Sequence, residues 1–522
     1  MTTYGFVIDQ NSCIGCHACT TACKSENRVP LGVFRTWVKY VEKGEFPNTR
    51  RHFLVERCNH CANAPCVTIC PTQSMFMRRD GIVDFDPTRC IGCKACMQAC
   101  PYDAIYIDPE TETAAKCNYC AHRTEIGLQP ACVIACPEEA IISWDLDDPN
   151  SKISQLLGRE NLRQRRPDQG TQPKLWYIGA EEVAINPEFF SDPQGSMWAQ
   201  HRALGVGGQR RGAREQRQPT DPRPLAPGQS VAAGFLAEAG QVGYNVAHEQ
   251  PWGFLVAAYL WTKSIGAGAM LMLALLLGLG RALSDSFVLG CLLVALVFTG
   301  ITTLLLVADL KHPERFILIL TKPNFRSWLV WGAYILIAFS ILAGLALIGA
   351  VLGLATIFLI GLWGGAALGV LAAGYSGFLF GQAEGRDFWQ SPLLPVHLLA
   401  QAMVAGAAVA VLVGPALGSE VDVVSLLTVT LAIAVLGHLV LVTAEVCTPH
   451  ANTHIKLAAA TLVSGKLRRR FWGGAIALGI VLPLVVIAVT PLLAPLAAVA
   501  ALAGLLFYED AWVTAGQSVP MS

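Results

Sequence analysis

Sixteen of the 18 cysteines in this 522-residue chain lie within its first 136 residues, where they form four sets of four. The sets are Cys13, Cys16, Cys19 and Cys23; Cys58, Cys61, Cys66 and Cys70; Cys90, Cys93, Cys96 and Cys100; and Cys117, Cys120, Cys132 and Cys136. The first and third sets have C-x2-C-x2-C-x3-C spacing, and proline follows the last three sets. Cysteine thiolates hold iron–sulfur clusters, four to each [4Fe–4S] cubane. The pattern therefore predicts four [4Fe–4S] clusters and electron transfer.

Two other uses of so many cysteines fit the spacing less well. A disulfide framework is typical of small secreted domains, and no positively charged segment with an apolar run precedes Cys13 as a signal peptide would. Zinc ribbons usually pair two C-x2-C knuckles across a longer spacer. The compact four-cysteine run is instead typical of ferredoxins.

The spacing also predicts how the sets are shared between clusters. In two-cluster ferredoxins the fourth cysteine of a run binds the other cluster. Pairing the outer sets with each other, and the inner sets likewise, gives two nested ferredoxin modules with their clusters in a row. The predicted ligands are Cys13, Cys16, Cys19 and Cys136 (group 1); Cys117, Cys120, Cys132 and Cys23 (group 2); Cys58, Cys61, Cys66 and Cys100 (group 3); and Cys90, Cys93, Cys96 and Cys70 (group 4).

Composition divides the chain into two parts with different solvent preference. Hydrophobic residues make up 53% of the chain, charged residues 15%, and the formal net charge is zero, which excludes a nucleic-acid-binding polycation. We expect a cluster-binding domain over 1–195, a linker over 196–251 and a membrane domain over 252–522. The linker is richest in Gly, Pro, Gln and Arg at 203–230, as expected of a segment without a packed core.

Eight segments of the second part are long and apolar enough to cross a bilayer, at roughly 20 residues per crossing. Tight connections after the third and the seventh predict two antiparallel hairpins. The predicted spans are 252–280, 286–309, 327–349, 353–380, 392–414, 423–446, 471–490 and 492–509. An even number of spans places the cysteine domain and the last residues on the same side of the cell membrane.

Basic residues in the loops predict which side this is. The opposite loops contain only Arg281. The loops on the cysteine-domain side contain Lys311, Arg315, Lys322, Arg326, Arg386, Lys456, Lys466, Arg468, Arg469 and Arg470. Ten basic residues on this side against one on the other favour a cytoplasmic cysteine domain. The alternative is that the domain is exported to the periplasmic side together with a partner. The turn with Glu384, Arg386 and Asp387 is interpreted as solvated.

Ionisable residues at bilayer depth are costly, so each is a candidate for function. Lys263 lies eleven residues inside the first span, about 16 Å along it. We weigh a role with quinone or protons evenly against a structural interhelical pair. Asp309 ends the second span, and Tyr334 lies in the third. Quinone reduction needs two electrons and two protons, so we expect Lys263, Asp309 and Tyr334 to meet near the last cluster.

Three further polar residues lie in the fifth and sixth spans. His438 and Glu445 share one helix face because they are seven residues apart, two turns of helix. They suit either a proton route or an interhelical hydrogen-bonded pair, and the second interpretation is preferred. His397 and His438 are expected at similar depth, about 9–12 Å, so a single bis-histidine haem between the two helices is conceivable.

Both parts of the chain resemble subunits of molybdopterin oxidoreductases. Residues 1–195 resemble four-cluster iron–sulfur subunits such as the B subunits of polysulfide, dimethyl sulfoxide and sulfite-oxidising complexes. The motifs that carry this resemblance are DQNSCIGCHACTTAC at 9–23, CNHCANAPCVTICP at 58–71, CIGCKACMQACPYDAI at 90–105 and KCNYCAHR at 116–123. Residues 252–522 resemble the NrfD-like, or polysulfide-reductase C, membrane family. There the motifs are LLLVADLKHPERF at 304–316, SWLVWGAYIL at 327–336, SPLLPVHLLAQA at 391–402 and VTAGQSVPMS at 513–522.

The resemblance implies a natural fusion: an α+β double ferredoxin-like domain followed by an all-α membrane domain of eight helices. It implies a molybdopterin-containing catalytic partner, bound membrane lipid, and menaquinone or ubiquinone between the first helices and the iron–sulfur domain. Haem is not expected, because this membrane family normally lacks it. Histidines used by some relatives in the first helix are absent from YLWTKSIGAGAM at 259–270.

The expected function is electron transfer between quinone and a catalytic partner, with a sulfite-oxidising type slightly preferred over a polysulfide- or thiosulfate-reducing one. The alternative is a proton-coupled quinone–ferredoxin device without a molybdenum partner. A passive anchor would need only one or two helices. Terminal substrate chemistry is assigned to the partner, since the chain contains no P-loop and no strand–GxGxxG–helix motif.

Overall fold

The computed structural model describes residues 2–44, 47–186, 190–191 and 240–522, so the predicted linker core at 203–230 lies outside it. The N-terminal domain consists of short strands and helices. The strands are β1 (Tyr4–Asp9), β2 (Thr36–Lys43), β3 (Arg50–Arg57), β4 (Met75–Met77), β5 (Val83–Phe85), β6 (Ile105–Ile107), β7 (Ala114–Lys116), β8 (Ile141–Asp145), β9 (Leu162–Arg163), β10 (Leu175–Ile178), β11 (Phe190–Ser191) and β12 (Gly240–Tyr244). The helices are α1 (Ala18–Asn27), α2 (Pro65–Ile69), α3 (Ala95–Ala99), α4 (Ala121–Thr124), α5 (Ala131–Ile134), α6 (Lys152–Arg159) and α7 (Glu182–Ile185).

Two four-stranded sheets and two hairpins hold the cysteine loops. One sheet has the order β8-β1-β10-β9, with β1 parallel to β10 and antiparallel to β8. The apolar run Phe6, Val7 and Ile8 in β1 is fully buried, as expected of a strand covered on both faces. The hairpins β4–β5 and β6–β7 separate successive cysteine sets along the chain. The α+β class predicted for this domain is confirmed.

The second sheet, ordered β11-β12-β2-β3, includes part of the predicted linker. Strand β12 pairs antiparallel with β2, and its Val242 is buried. Residues 240–244 therefore belong to the N-terminal sheet, although their surroundings in the sequence predict a linker. Their strand structure depends on an edge of β2 that is about 200 residues away in the sequence.

Among the residues that the structure describes, eight helices are long and apolar enough to cross a membrane, as predicted. They are named the first to eighth spanning helices in chain order. They are Phe254–Gly278, Asp285–Ala308, Trp328–Val351, Ala355–Gly381, Leu394–Val413, Val421–Cys447, Arg470–Val489 and Pro491–Gly516. The chain is thus a multi-pass membrane protein. The eighth helix continues beyond the predicted end at 509, which brings Glu509 inside it.

Two details of the helical region were not predicted. A short helix, Thr453–Val463, lies between the sixth and seventh spanning helices. The seventh begins as a π-helix over Arg470–Val481 and continues as an α-helix over Leu482–Val489. The change occurs next to Pro483, whose missing N–H and fixed ring disturb regular helix geometry.

The first spanning helix lies at the centre of the membrane domain. It packs against the second, fourth, fifth and eighth helices. At its crossing with the fifth helix, a side chain on Gly268 or on Gly406 would collide with the opposite backbone. Small residues are thus required there for the helices to approach closely.

Candidate metal centres and their contact with the membrane helices

The cysteines of group 1 surround one cavity in the N-terminal domain. Cys13, Cys16, Cys19 and Cys136 line it together with Val38 and Val55 from β2 and β3. The chain turns tightly into this loop at Gly15, which has a φ of +69°. The structure therefore brings together the four cysteines that the spacing groups.

Group 2 lines a second cavity. Cys23, Cys117, Cys120 and Cys132 meet there, from α1, the loop after β7, the start of α4 and α5. Arg57 at the end of β3 donates a hydrogen bond from Nη1 to Cys132 Sγ at 3.1 Å. Cys23, the fourth cysteine of its run, thus lies among cysteines of another run.

The inner groups show the same arrangement. Group 3 brings Cys58, Cys61, Cys66 and Cys100 within electrostatic range of one another. Group 4 does so for Cys90, Cys93, Cys96 and Cys70. Backbone N–H groups point at three of these sulfurs: His60 N to Cys58 at 3.4 Å, Met75 N to Cys70 at 3.4 Å and Ala114 N to Cys90 at 3.3 Å.

The chemistry of these groups fits a bound metal cluster. Burial raises the pKa of the Cys19 thiol to about 11 and that of Cys61 to about 12. A buried thiolate is therefore unfavourable without a positive centre, and coordination to a metal deprotonates a thiol outright. Four converging sulfurs with backbone N–H donors suit an iron–sulfur cubane.

The four groups follow one another in a single order. Neighbouring groups have sulfurs within electrostatic range of one another: Cys132 and Cys19, Cys58 and Cys117, and Cys66 and Cys96. This order is group 1, group 2, group 3, group 4. Groups 3 and 4 also share one hydrophobic core with residues of the membrane domain.

Group 4 lies directly on the ends of the spanning helices. Trp252 donates from Nε1 to the carbonyl of Cys93 at 3.2 Å, and Asn324 donates from Nδ2 to the carbonyl of Cys70 at 2.8 Å. At Gly385, after the fourth spanning helix, a Cβ would lie 2.7 Å from the carbonyl oxygen of Cys100 of group 3, so only glycine fits there. The last cysteine group is thus in direct contact with the residues that precede the first and third spanning helices.

Charged residues after the second spanning helix bind the N-terminal domain. Asp309 forms an ion pair with Lys94 at 3.0 Å, and Lys94 lies between Cys93 and Cys96 of group 4 in the sequence. Lys311 pairs with Glu112 at 3.2 Å, and Arg315 donates to the carbonyl of Cys90 at 3.0 Å. Some of the basic residues counted for membrane orientation therefore have a docking role.

The turn after the fourth spanning helix is not solvated as predicted. Arg386 and Asp387 are only 6% and 7% exposed. Asp387 pairs with Arg166 at 2.8 Å, and Arg386 donates from Nε to Gln98 Oε1 at 2.8 Å. Gln98 in turn donates to Gln517 Oε1 at 2.6 Å. Charges are buried here because the N-terminal domain supplies their partners, which local sequence does not reveal.

Lys263 is buried within the membrane domain, with 2% of its surface exposed. Its Nζ donates to the carbonyl of Ala373 at 3.0 Å and to Ser376 Oγ at 2.7 Å. It also lies 4.7 Å from the centroid of the Tyr375 ring. Glu509 of the eighth helix is within electrostatic range. Lys263 therefore joins the first, fourth and eighth helices.

Lys263, Asp309 and Tyr334 were expected to meet, and the structure gives each a different hydrogen-bond partner. Tyr334 donates to the carbonyl of Leu320 at 3.3 Å and packs in the cluster that contains Cys93. Asp309 and Tyr334 thus lie around group 4, whereas Lys263 lies deeper. Tyr259 connects Lys263 with the residues around group 4. It is within electrostatic range of Asp309 and contacts Ser376, which Lys263 also contacts.

His397, His438 and Glu445 form a buried chain of contacts. The two histidines share a hydrogen bond of 3.0 Å between Nε2 and Nδ1, and His397 Nδ1 lies 3.6 Å from Glu445 Oε2. Tyr508 and Trp512 each donate to Glu445 at 2.6 Å. The direct bond between the rings brings them closer than a shared haem iron would allow. The expected interhelical hydrogen-bonded pair is instead a three-helix network.

The eighth helix contributes residues that sequence reasoning missed. Glu509 is 1% exposed and within electrostatic range of both Lys263 and Glu445, so it lies between the two polar networks. The predicted helix ended at 509, and Glu509 was not among the candidate residues drawn from the sequence. The family-like motif VTAGQSVPMS, at 513–522, already indicated that the end of the chain matters for the contact between the two domains. Gln517 within it bonds to Gln98 and to the backbone of Trp252.

Family models match both parts of the chain. Residues 244–519, more than half of the chain, match the model described as polysulphide reductase, NrfD. Residues 49–145 match a 4Fe-4S dicluster domain and residues 4–25 a 4Fe-4S binding domain. The N-terminal domain is therefore an iron–sulfur domain.

Curated relatives match the N-terminal domain over most of their own length. The B subunit of tetrathionate reductase from Salmonella typhimurium is 44% identical over 37% of this protein and 79% of the relative. The B subunit of polysulfide reductase from Wolinella succinogenes is 40% identical over 34% and 93%. The arsenate respiratory reductase iron–sulfur subunit ArrB of Shewanella sp. is 35% identical over 33% and 95%. The chain thus belongs to the polysulphide reductase NrfD family. In this chain the NrfD membrane domain is fused to an iron–sulfur domain that is similar to those reductase subunits.

Proposed function

We propose that this chain passes electrons between a membrane quinone and a catalytic partner through four [4Fe–4S] clusters, one in each cysteine group. The observation that carries the proposal is the row of four groups, the last of which lies on the ends of the spanning helices. When bound, the clusters supply one-electron redox chemistry. The three domains are proposed as 1–195, 196–251 and 252–522, with 240–244 returning to the iron–sulfur sheet.

The quinone site is proposed beside group 4. Asp309 and Tyr334 lie there at the ends of the second and third spanning helices, and both are only partly buried. A quinone headgroup, of menaquinone or ubiquinone, would approach from the surrounding lipid. Burial raises the pKa of Asp309 against the opposing effect of Lys94. A carboxyl with a raised pKa is suited to accept a proton as quinol is oxidised, and to return it if the reaction runs towards quinone reduction.

Two buried networks are proposed to carry protons between the quinone site and the interior of the membrane domain. Lys263 and Tyr259 lie one turn apart on the first helix and both contact Ser376. His397, His438 and Glu445 form the second network. Glu509, within range of Lys263 and Glu445, connects them. Buried ionisable residues in membrane helices typically mark proton or substrate paths.

The partner is proposed to be a molybdopterin-containing subunit that acts on the terminal substrate. The relatives are named as subunits of tetrathionate, polysulfide and arsenate reductases. These names favour electron flow from quinol to the partner and a sulfur compound as the acceptor, against the slight preference for sulfite oxidation drawn from sequence. Substrate reduction then occurs on the partner and quinol oxidation on this chain.

The test is to purify the complex in mild detergent under anoxic conditions and measure metals and activity on one sample. We expect about sixteen irons per chain, a co-purifying subunit with molybdenum, and quinol oxidation on addition of tetrathionate or polysulfide. Quinone reduction by sulfite would reverse the proposed direction. Sixteen irons with no molybdenum-bearing subunit would instead support the proton-coupled quinone–ferredoxin device.

The iron–sulfur domain is proposed to face the cytoplasm. Exposed Cys447, at the end of the sixth helix on the iron–sulfur side, provides a test. A membrane-impermeant maleimide should leave Cys447 unlabelled in intact cells and label it after the inner membrane is opened. A Cys447→Ser variant identifies the labelled site. Labelling in intact cells would place the domain on the periplasmic side.

A further inference from the structure

Group 2 has a buried cation in direct contact with one of its sulfurs. The Arg57 side chain is 1% exposed, and its Nη1 donates to Cys132 Sγ at 3.1 Å. Its guanidinium lies 4.6 Å from the centroid of the Phe6 ring, which holds it in place. Nε and Nη2 are buried without a hydrogen-bond partner. The charge of Arg57 is therefore directed at the cysteines.

The charge of Arg57 is not neutralised by a carboxylate. In the described part of the chain no Asp or Glu forms an ion pair with it, and the adjacent Glu56 is paired with Arg165 at 3.2 Å. The groups with the largest electrostatic effect on Arg57 are sulfurs: Cys132 and Cys117 of group 2, and Cys19 of group 1. Arg57 thus lies between the first two groups and closer to the second.

The cation at group 4 has a different environment. Lys94 lies between two cysteines of that group but is paired with Asp309, which itself acts on Cys93. At group 2, Glu26 acts on Cys120 but is paired with Arg123 at 3.0 Å. An unpaired positive charge in a low-dielectric interior has a far larger effect than a paired one. The electrostatic contrast between groups 2 and 4 is therefore large.

We propose that Arg57 is a positioning residue that raises the reduction potential of the cluster in group 2, and to a smaller degree that in group 1. The inference rests on the proposed function, which places a cluster in each group. A cluster gains one electron on reduction, with no bond formed or broken, so its reduced form carries one more negative charge. A nearby unpaired cation and a hydrogen bond to a ligand sulfur both favour that form. Group 2 then retains electrons that pass along the row.

The test is a redox titration of the purified full-length protein, followed by electron paramagnetic resonance. In Arg57→Met, which removes charge and hydrogen bond, one cluster should titrate at a clearly lower potential and a second at a slightly lower one. Arg57→Lys should restore most of the shift because it keeps the charge. Arg51→Met changes an exposed residue on the same strand and should leave all four potentials unchanged.

Three results would overturn or redirect the inference. Unchanged potentials in Arg57→Met, with about sixteen irons present, would show that Arg57 does not tune a cluster. If that variant does not assemble, Arg57→Gln and Arg57→Lys are compared, and equal potentials in the two would refute the role of charge. A wild-type protein without a cluster in group 2 would overturn the proposed function itself.

Discussion

Replacing Cys93 by Ser is expected to abolish electron transfer between quinone and the catalytic partner while leaving the other three clusters in place. Cys93 belongs to group 4, the group in contact with Trp252 and the membrane helices. Loss of that cluster removes the last carrier before the quinone, and the remaining groups lie further away. Iron content should fall from about sixteen to about twelve per chain.

The measurement is quinol oxidation by the purified complex, together with iron analysis and paramagnetic resonance of the remaining clusters. Cys447→Ser is the matched control, because Cys447 is exposed and lies outside the four groups. A normal rate in Cys93→Ser, with group 4 empty, would show that electrons do not follow the proposed row. The same substitution at Cys58 tests group 3 by the same logic.

Lys263→Met is expected to slow quinone turnover by about 10²-fold with all four clusters intact, the lower end of the effect of a proton-transfer group. The substitution keeps the length of the side chain but removes the charge that bonds to Ser376 and faces Glu509. Steady-state quinol oxidation and cluster reduction by quinol measure the effect. Lys466→Met, in an exposed loop, is the control.

Lys263 also has a structural alternative that this experiment separates. Its bonds to Ala373 and Ser376 join the first and fourth helices. If that is its whole role, the variant should lose thermal stability and keep its quinone kinetics. Normal kinetics in a folded Lys263→Met protein would therefore remove Lys263 from the proton network and leave Asp309 and Tyr334 as the candidates beside the quinone.

The sequence was most informative for features whose signal lies within a single segment of the chain. The cysteine spacing groups Cys13 with Cys136 and Cys23 with Cys117, and the cavities around Cys13 and Cys23 are lined by these cysteines. Apolar length predicted all eight spanning helices to within a few residues, apart from the end of the last. Both signals are contained in the segments themselves.

Prediction failed where a residue's role depends on a distant partner. Asp387 was interpreted as solvated because nothing near it in sequence reveals Arg166, 221 positions away. Asp309 was assigned to quinone alone, although it is also the partner of Lys94. Residues 240–244 were placed in a linker because their strand needs the edge of β2. In each case the missing information was a contact with a part of the chain that is far away in the sequence.

The docking of group 4 beneath the membrane domain sets an order for maturation of the protein. Cys96 is buried, and Trp252, Asn324 and Gly385 lie against the loops that hold it and its neighbours. An iron–sulfur delivery protein needs access to open thiols. With the proposed clusters in groups 3 and 4, the inner cysteines would receive iron and sulfide while the two halves of the chain are still apart, and closure of the interface would then seal a finished cofactor inside.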